Sequence, residues 1–271
     1  MNHMWIAAWV ALGCAAGAGC AGAVPRPYAE PTAAQLLAHL GKRDGAIRSL
    51  RTQRPPKIDH WSKEGRIKTP VLMLIERPDK LRFDAESPMA GKLLATLTTD
   101  GKAFQLLDYE KHVLYEGPPD PCNVARLIEI SMPPADVATI LLGGSPLPAG
   151  LTPTVTWDAK NRREVLTFAL PDGTAEVVAL DGSGSPPTWE VRRAELRDRA
   201  GAVVWRLEHE DFADVGGGVR LPKVSRFEKP AEKADVIVRW KDGREVNAAL
   251  PADSFTITAP PGIPRQRMRC P

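Results

Sequence analysis

The sequence contains no Gly-x-Ser-x-Gly elbow, no His-Glu-x-x-His, no Walker loop and no glycine-rich dinucleotide turn, which excludes the commonest hydrolase, zinc-peptidase and nucleotide-binding signatures. Histidine is scarce, with five residues in 271, and His3, His39, His60, His112 and His209 are scattered. The one acidic cluster with a histidine is Glu208-His209-Glu210-Asp211. On a strand, Glu208 and Glu210 would share one face and His209 the other, so joint metal binding there is awkward. No catalytic residue, metal ligand or cofactor is expected. An excess of one charge is also missing: 36 Lys and Arg against 33 Asp and Glu leave a net +3, without the clustered basic surplus of a nucleic-acid binder. There is no internal repeat and no linker long enough to divide the chain. What is present, 43% hydrophobic and 25% charged residues, is the composition of a globular domain able to bury a sizeable core.

The N-terminal apolar run, Met4 through Trp5, Ile6, Trp9, Val10 and Leu12 to Ala18-Gly19, falls short of the about 20 residues that a membrane-crossing helix needs. It reads as an export signal, although Met1-Asn2-His3 carries no Lys or Arg. The small residues before Cys20 resemble the cleavage box of bacterial lipoproteins, in which the cysteine becomes the lipidated first residue. Cys14, after Ala11-Leu12-Gly13, is the rival position. On this reading residues 1–19 are the signal, 20–31 a Pro-containing tether, 32–264 a single domain and 265–271 a C-terminal tail. Cys122 and Cys270 would then remain in an oxidising compartment, where a disulfide and two free thiols are both open to them.

Along the domain, Thr32 caps a helix whose Leu36, Leu37 and Leu40 recur at helical spacing before Gly41. Strand signals follow. Arg66 to Glu76 is a strand-like apolar stretch, and Leu81, Phe83 and Ala85 alternate with Arg82, Asp84 and Glu86. Asp100-Gly101 marks a tight hairpin turn. Between 122 and 143 the period becomes helical, with one stripe through Val124, Leu127 and Ile128 and another through Val137, Ile140 and Leu141, closed by Gly143-Gly144. Strands resume after residue 152. The expected fold is mainly β (α+β): an antiparallel meander, interrupted once by helices, whose apolar inner face must be closed or plugged.

Several segments together resemble the bacterial lipoprotein-localisation family of LolA and LolB. Glu76-Arg77-Pro78-Asp79-Lys80-Leu81-Arg82-Phe83 with Asp100-Gly101-Lys102 is similar to the Arg-Pro turn and hairpin of the carrier. Phe255-Thr256-Ile257 with Pro260-Pro261-Gly262 resembles its closing strand, while Ser87-Pro88-Met89-Ala90-Gly91 and Met132-Pro133-Pro134 to Gly143 look like the acceptor's protruding loop and lid. The resemblance implies a half-open antiparallel β-barrel covered by a helical lid, a monomer, anchored by Cys20 to the outer membrane on its periplasmic side. It would bind acyl chains of lipoproteins or lipids, received from a periplasmic carrier protein. Leu72, Leu74, Phe83, Leu97, Phe104 and Leu106 would line the cavity with Ile128, Val137 and Leu141 from the lid. Arg77 would latch the lid, and Met89 would serve membrane transfer. The alternative is the same fold with a filled barrel, acting as an envelope stress sensor or an accessory interaction subunit.

Overall fold

The computed structural model describes residues 24–62 and 65–270; the signal segment, Cys14 and Cys20 lie outside the described residues. The first element is helix α1 (Ala33–Ala46), opened by a reciprocal cap: the Gln35 N–H donates to Thr32 Oγ1 at 3.2 Å and the Thr32 N–H to Gln35 Oε1 at 2.8 Å. It runs through Gly41, where a stop is expected, and closes only where the Ile47 N–H meets the Asp44 carbonyl. Leu36 and Leu40 turn inward.

Seven strands follow: β1 (Ser49–Thr52), β2 (Lys57–Ser62), β3 (Gly65–Glu76), β4 (Lys80–Glu86), β5 (Leu93–Asp100), β6 (Phe104–Asp108) and β7 (Val113–Gly117). Helices α2 (Pro121–Ile128) and α3 (Pro134–Leu141) come next, each with proline in its first turn, where a missing N–H costs nothing. The chain returns through β8 (Thr154–Asp158), β9 (Arg163–Ala169), β10 (Ala175–Ser183), β11 (Thr188–Arg197) and β12 (Val203–Glu210). After a small separate hairpin, β13 (Ala213–Asp214) with β14 (Arg220–Leu221), come β15 (Val224–Lys229), β16 (Ala234–Arg239), β17 (Arg244–Val246) and β18 (Arg265–Arg267).

The main sheet runs in the order β18, β7, β6, β5, β4, β3, β2, β16, β15, β12, β11, β10, β9, β8, with β1 bridging β3 and β17. Every pairing in it is antiparallel except β18 on β7. The two end strands, β18 and β8, do not meet, so the sheet curls into a half-open barrel. Its corner lies at β3, whose first half pairs with β2 and second half with β1 and β4. Pro55, Pro56 and Pro70 cluster at this corner, and proline, having no N–H, suits a place where a ladder breaks and bends.

Antiparallel connectivity sorts the turns onto two rims. Turns 77–79, 101–103, 159–162, 184–187 and the 211–223 crossover form an upper rim; turns 87–92, 109–112, 170–174, 198–202 and 230–233 form a lower one. The concave face is apolar. Met73, Phe83, Leu97 and Leu106 stand in one cross-strand row, and Phe168, Val178, Leu207, Phe227 and Val236 line the other half of the barrel, all buried in one core. Helices α2 and α3 fill the trough with Val124, Ile128, Val137, Ile140 and Leu141, each side chain stabilising by about 1.5–3 kcal/mol through burial.

The convex face differs from one half of the barrel to the other. Over β9–β16 it carries charges, typified by Glu195, almost fully buried beneath Arg193, Arg197 and Arg206, which hold its carboxyl down at about 2 against the cost of burial. Over β4–β7 it carries Leu107, Leu114 and Phe255, buried outside the main core. There the C-terminal segment lies along the sheet: the Ile257 N–H donates to Gln105 Oε1, Arg82 donates to the Ser254 carbonyl, and β18 pairs with β7. Cys122 and Cys270 close this wrap as a disulfide with Cα atoms 5.8 Å apart. The stretch read as a tail is thus partly an edge strand. Residues 24–31, read as a tether, lie along the β8–β11 side, where Arg26 pairs with the buried Glu164, Trp157 Nε1 donates to the Val24 carbonyl, and Tyr28 packs edge-on between Trp157 and Trp189.

Candidate functional site

The site is the seam between the concave face and the two-helix lid. Antiparallel partners share a face, so the register of β3 to β6 decides which side chains line it. Phe83 faces Met73 and Leu97, and Leu97 faces Leu106; Phe104 lies opposite Thr99 on the same side. Phe83, Leu97, Phe104, Leu106, Ile128, Val137 and Leu141 all lie within the buried core beneath and along the lid.

Leu72 and Leu74 do not line it. They pair with Asp84 and Arg82 and stand half-buried on the convex face, while Val71, Met73 and Ile75 point inward, fully buried. The reason is local: Val71-Leu72-Met73-Leu74-Ile75 is apolar on both faces, so alternation within β3 carries no sign. The neighbouring strand does carry one, because Leu81, Phe83 and Ala85 alternate with charged residues and each pairs with an inward residue of β3.

At the upper rim the lid is bound by directional contacts. Arg77 spreads its guanidinium over three partners: Nη1 donates to Thr139 Oγ1 of α3 at 3.0 Å, Nε to the Ile47 carbonyl at 3.0 Å, and Nη2 to Asp44 Oδ1 at 3.2 Å. Arg43, its charged form disfavoured by burial, donates through Nη2 to the Leu142 carbonyl at 2.8 Å. Helix α3 ends in two crossed bonds, from the Gly144 N–H to the Thr139 carbonyl and from the Gly143 N–H to the Ile140 carbonyl. Gly143 has φ +76°, and a Cβ there would stand 2.5 Å from Pro222, so only glycine fits this junction.

His209 completes the upper attachment. Its Nε2 lies 3.0 Å from the Gly144 carbonyl and its Nδ1 3.0 Å from Ser225 Oγ. A carbonyl only accepts, so Nε2 carries the proton and Nδ1 accepts from the serine. Complete burial pushes the imidazole down to about 4, so it is neutral at physiological pH. Glu208 and Glu210 turn outward on either side of it, and no group of three or more His, Cys, Asp or Glu among the described residues is arranged to hold a metal.

At the lower rim the contacts change character. Asp136 stands half-buried in the first turn of α3 and Glu176 buried on β10, and the charge of the first acts on the second. Burial raises both carboxyls, and the charge of Asp136 adds to the effect on Glu176, which is pushed up to about 8. Neither residue was visible as part of a site in the sequence. The available signal was the i, i+2 row Glu176, Val178, Leu180, two of whose members are plainly core residues.

Two spaces border the lid. Between α3 and the β12–β15–β16 wall, the gap bounded by Ile140, Leu141, Leu207, Phe227, Val236 and Val238 is too small for a water molecule. Between α2 and β5–β7, an open groove of about 470 Å³ is lined by Ala95, Leu106, Lys111, Tyr115, Arg126 and Leu127. Met89 projects from the 87–92 turn on the same lower rim and is 98% exposed. This turn is closed by the Ser87 N–H donating to the Lys92 carbonyl at 2.8 Å.

No family model matches the chain, and no curated protein matches it in sequence. Its fold is that of several solved structures. A LolA superfamily protein from Nitrosomonas europaea superposes with a TM-score of 0.57 at 12% identity, covering 84% of this chain and 99% of the other. A protein domain from Vibrio parahaemolyticus, named for outer membrane lipoprotein sorting, superposes with a TM-score of 0.55 at 11% identity over 82% and 97%. A DUF1329 family protein from Desulfovibrio piger gives 0.56 at 10% identity over 83% and 95%. The chain therefore has a LolA-like fold.

Proposed function

We propose that this chain is a non-catalytic binding protein of the cell envelope that shelters the acyl chains of lipoproteins or lipids between its concave sheet and its lid. The observation that carries the reading is the pairing of an apolar trough with helices attached by hydrogen bonds at one rim: a cover built this way can swing without unfolding the sheet. An acyl chain of about 16 carbons has about 15 to bury at roughly 0.8 kcal/mol each, on the order of 12 kcal/mol in water, so a cargo carrying one needs such a shelter. The LolA-like fold supports the reading. In it Arg77 is the latch on Thr139, Cys20 carries the lipid anchor at the outer membrane, a periplasmic carrier delivers the cargo, and Met89 touches the receiving membrane.

The tight gap between α3 and the β12–β15–β16 wall favours a second reading, in which the barrel stays filled and the protein serves as a stress sensor or accessory interaction subunit. One experiment separates the two. The chain from residue 20 onward, with Cys20→Ala, keeps every described residue and can be offered an acylated lipoprotein and its unacylated form, with uptake read by native mass spectrometry and photocrosslinking. Stoichiometric, acyl-dependent uptake is the expected result; a folded protein that takes up neither belongs to the second reading.

A further inference from the structure

Four carboxylates are buried among the described residues: Asp59, Glu164, Glu176 and Glu195. Three of them face arginine, Asp59 with Arg66, Glu164 with Arg26, and Glu195 with Arg193, Arg197 and Arg206. Glu176 does not. It is 6% exposed, its Oε1 has no hydrogen-bond partner, its cross-strand neighbours are Phe168 and Leu196, and the charge that acts on it belongs to another acid, Asp136. An unpaired buried carboxyl is costly. An unpaired buried acid, under the charge of a second acid at the start of α3, therefore stands on the apolar face along which the proposed cargo would lie.

We propose that Glu176 and Asp136 receive an ammonium group, so that the amphiphile bound under the lid carries a primary amine at the head of its acyl chain. The inference rests on the acyl-shelter reading and adds to it a class of head group. The ammonium offers three N–H donors, more than one carboxyl can use. Glu176 enters the encounter as the neutral acid and leaves it as the carboxylate: its O–H bond breaks, the electron pair stays on oxygen, the proton passes to solvent, and R–NH₃⁺ remains intact beside the new charge. Binding near neutral pH therefore releases a proton. Two natural sources share this chemistry, an ethanolamine phospholipid and a diacylated lipoprotein whose α-amine is free.

The test uses the Cys20→Ala chain from residue 20 onward, with dodecylammonium and dodecanol titrated below their aggregation limits at pH 7. Calorimetry in two buffers of different ionisation heat reads affinity and protons released together. The expected result is a preference for dodecylammonium of at least about tenfold, with proton release for the amine and none for the alcohol. Glu176→Gln is expected to abolish both, and Asp136→Asn to weaken them, while dodecanol binding persists. A diacylated lipopeptide and a lysophosphatidylethanolamine, each compared with its N-acylated form, then separate the sources, the preferred amine being the one whose affinity falls on acylation. Equal binding of amine and alcohol, or a preference that survives Glu176→Gln, overturns the inference while leaving the acyl shelter standing. Failure of every chain-bearing probe to bind the folded protein overturns both.

Discussion

At the upper rim the lid meets Arg77, Arg43 and His209 and, through Cys122, the C-terminal segment; at the lower rim its own Asp136 acts by its charge on Glu176 of β10, another acid. The first set is directional and satisfied, with each donor aimed at an oxygen. The second is held by apolar packing against an electrostatic penalty. In the proposed shelter, ends so unlike in their chemistry would set a direction of movement: a cover fixed above and merely seated below would open from below, hinging near Gly143. The groove beside α2 runs from Asp108 and Lys111 at the lower rim up to Cys122 and Met268, and the exposed Met89 stands on the same lower rim, so in the proposed shelter the end that would yield more easily faces a route by which a ligand would arrive.

The largest expected effect comes from releasing the upper attachment covalently. Cys122→Ser with Cys270→Ser removes a crosslink that spans 148 residues, and stability should fall by about 4–5 kcal/mol, as chain entropy predicts for a loop this long. Denaturant midpoints check the loss. Proteolysis of the 251–270 segment should accelerate with it, because that segment covers Leu107 and Leu114 from outside the main core.

The next largest contrast is in pH dependence, where the two ends oppose each other. His209 is neutral in the folded protein down to about 4, whereas in the unfolded chain it takes a proton near 6.5, so it withdraws about 3 kcal/mol of stability as pH falls through that window. Glu176 keeps its proton up to about 8 but loses it near 4.5 when unfolded, so it withdraws about 4–5 kcal/mol as pH rises. Between about 4.5 and 6.5 the two slopes cancel, and above 6.5 only the fall due to Glu176 remains. Glu176→Gln is expected to replace the plateau with a rising slope and abolish the decline toward pH 8, as followed by urea unfolding across the range. An unchanged profile would mean that the lower rim bears no such penalty.

Arg77→Gln comes next, at about 1–3 kcal/mol, because it strips donors from Thr139, Asp44 and the Ile47 carbonyl while leaving the packing beneath α3 in place. The comparison predicts where the effect appears. Amide exchange should quicken in Ala138–Leu142 and much less in β9–β12, whose hydrogen bonds do not depend on Arg77.

The sequence carried unequal amounts of information about these two ends. The Gly143-Gly144 stop and the apolar stripes of α2 and α3 pointed to covering helices, Arg77 was set beside them only through the family resemblance of its Arg-Pro turn, and the alternation of β4 gave Phe83 an apolar face. Leu72 and Leu74 went to the wrong face because β3 is apolar on both sides there, and only pairing with β4 assigns its parity. Helix α1 passes Gly41 while its last turn makes tertiary contacts, Asp44 with Arg77 and Arg43 with the Leu142 carbonyl, which no local rule anticipates. Glu176 was hidden for a similar reason: an acid in a strand is read as facing water, and its inward direction follows from the register of β9, β10 and β11. Spacing could not decide the pairing of Cys122 with Cys270 either, since the wrap that brings them together passes over the convex face.

The smallest effect on stability and the sharpest separation of rim from core should come from Met89→Glu. The side chain is 98% exposed on a turn that closes through its own backbone, so substitution should shift stability by no more than about 0.5 kcal/mol. Its cost lies elsewhere. An apolar, adaptable side chain standing in water at the open rim has no folded partner to lose, whereas a carboxylate at the same tip would resist contact with lipid and with its anionic head groups. Delivery of a bound acylated ligand to vesicles should therefore drop, while uptake of that ligand by the protein, which the proposal sets under the lid, stays as it was. If uptake and delivery fall together, the turn belongs to the binding seam; if neither falls, the lower rim meets its partner through some surface other than this turn.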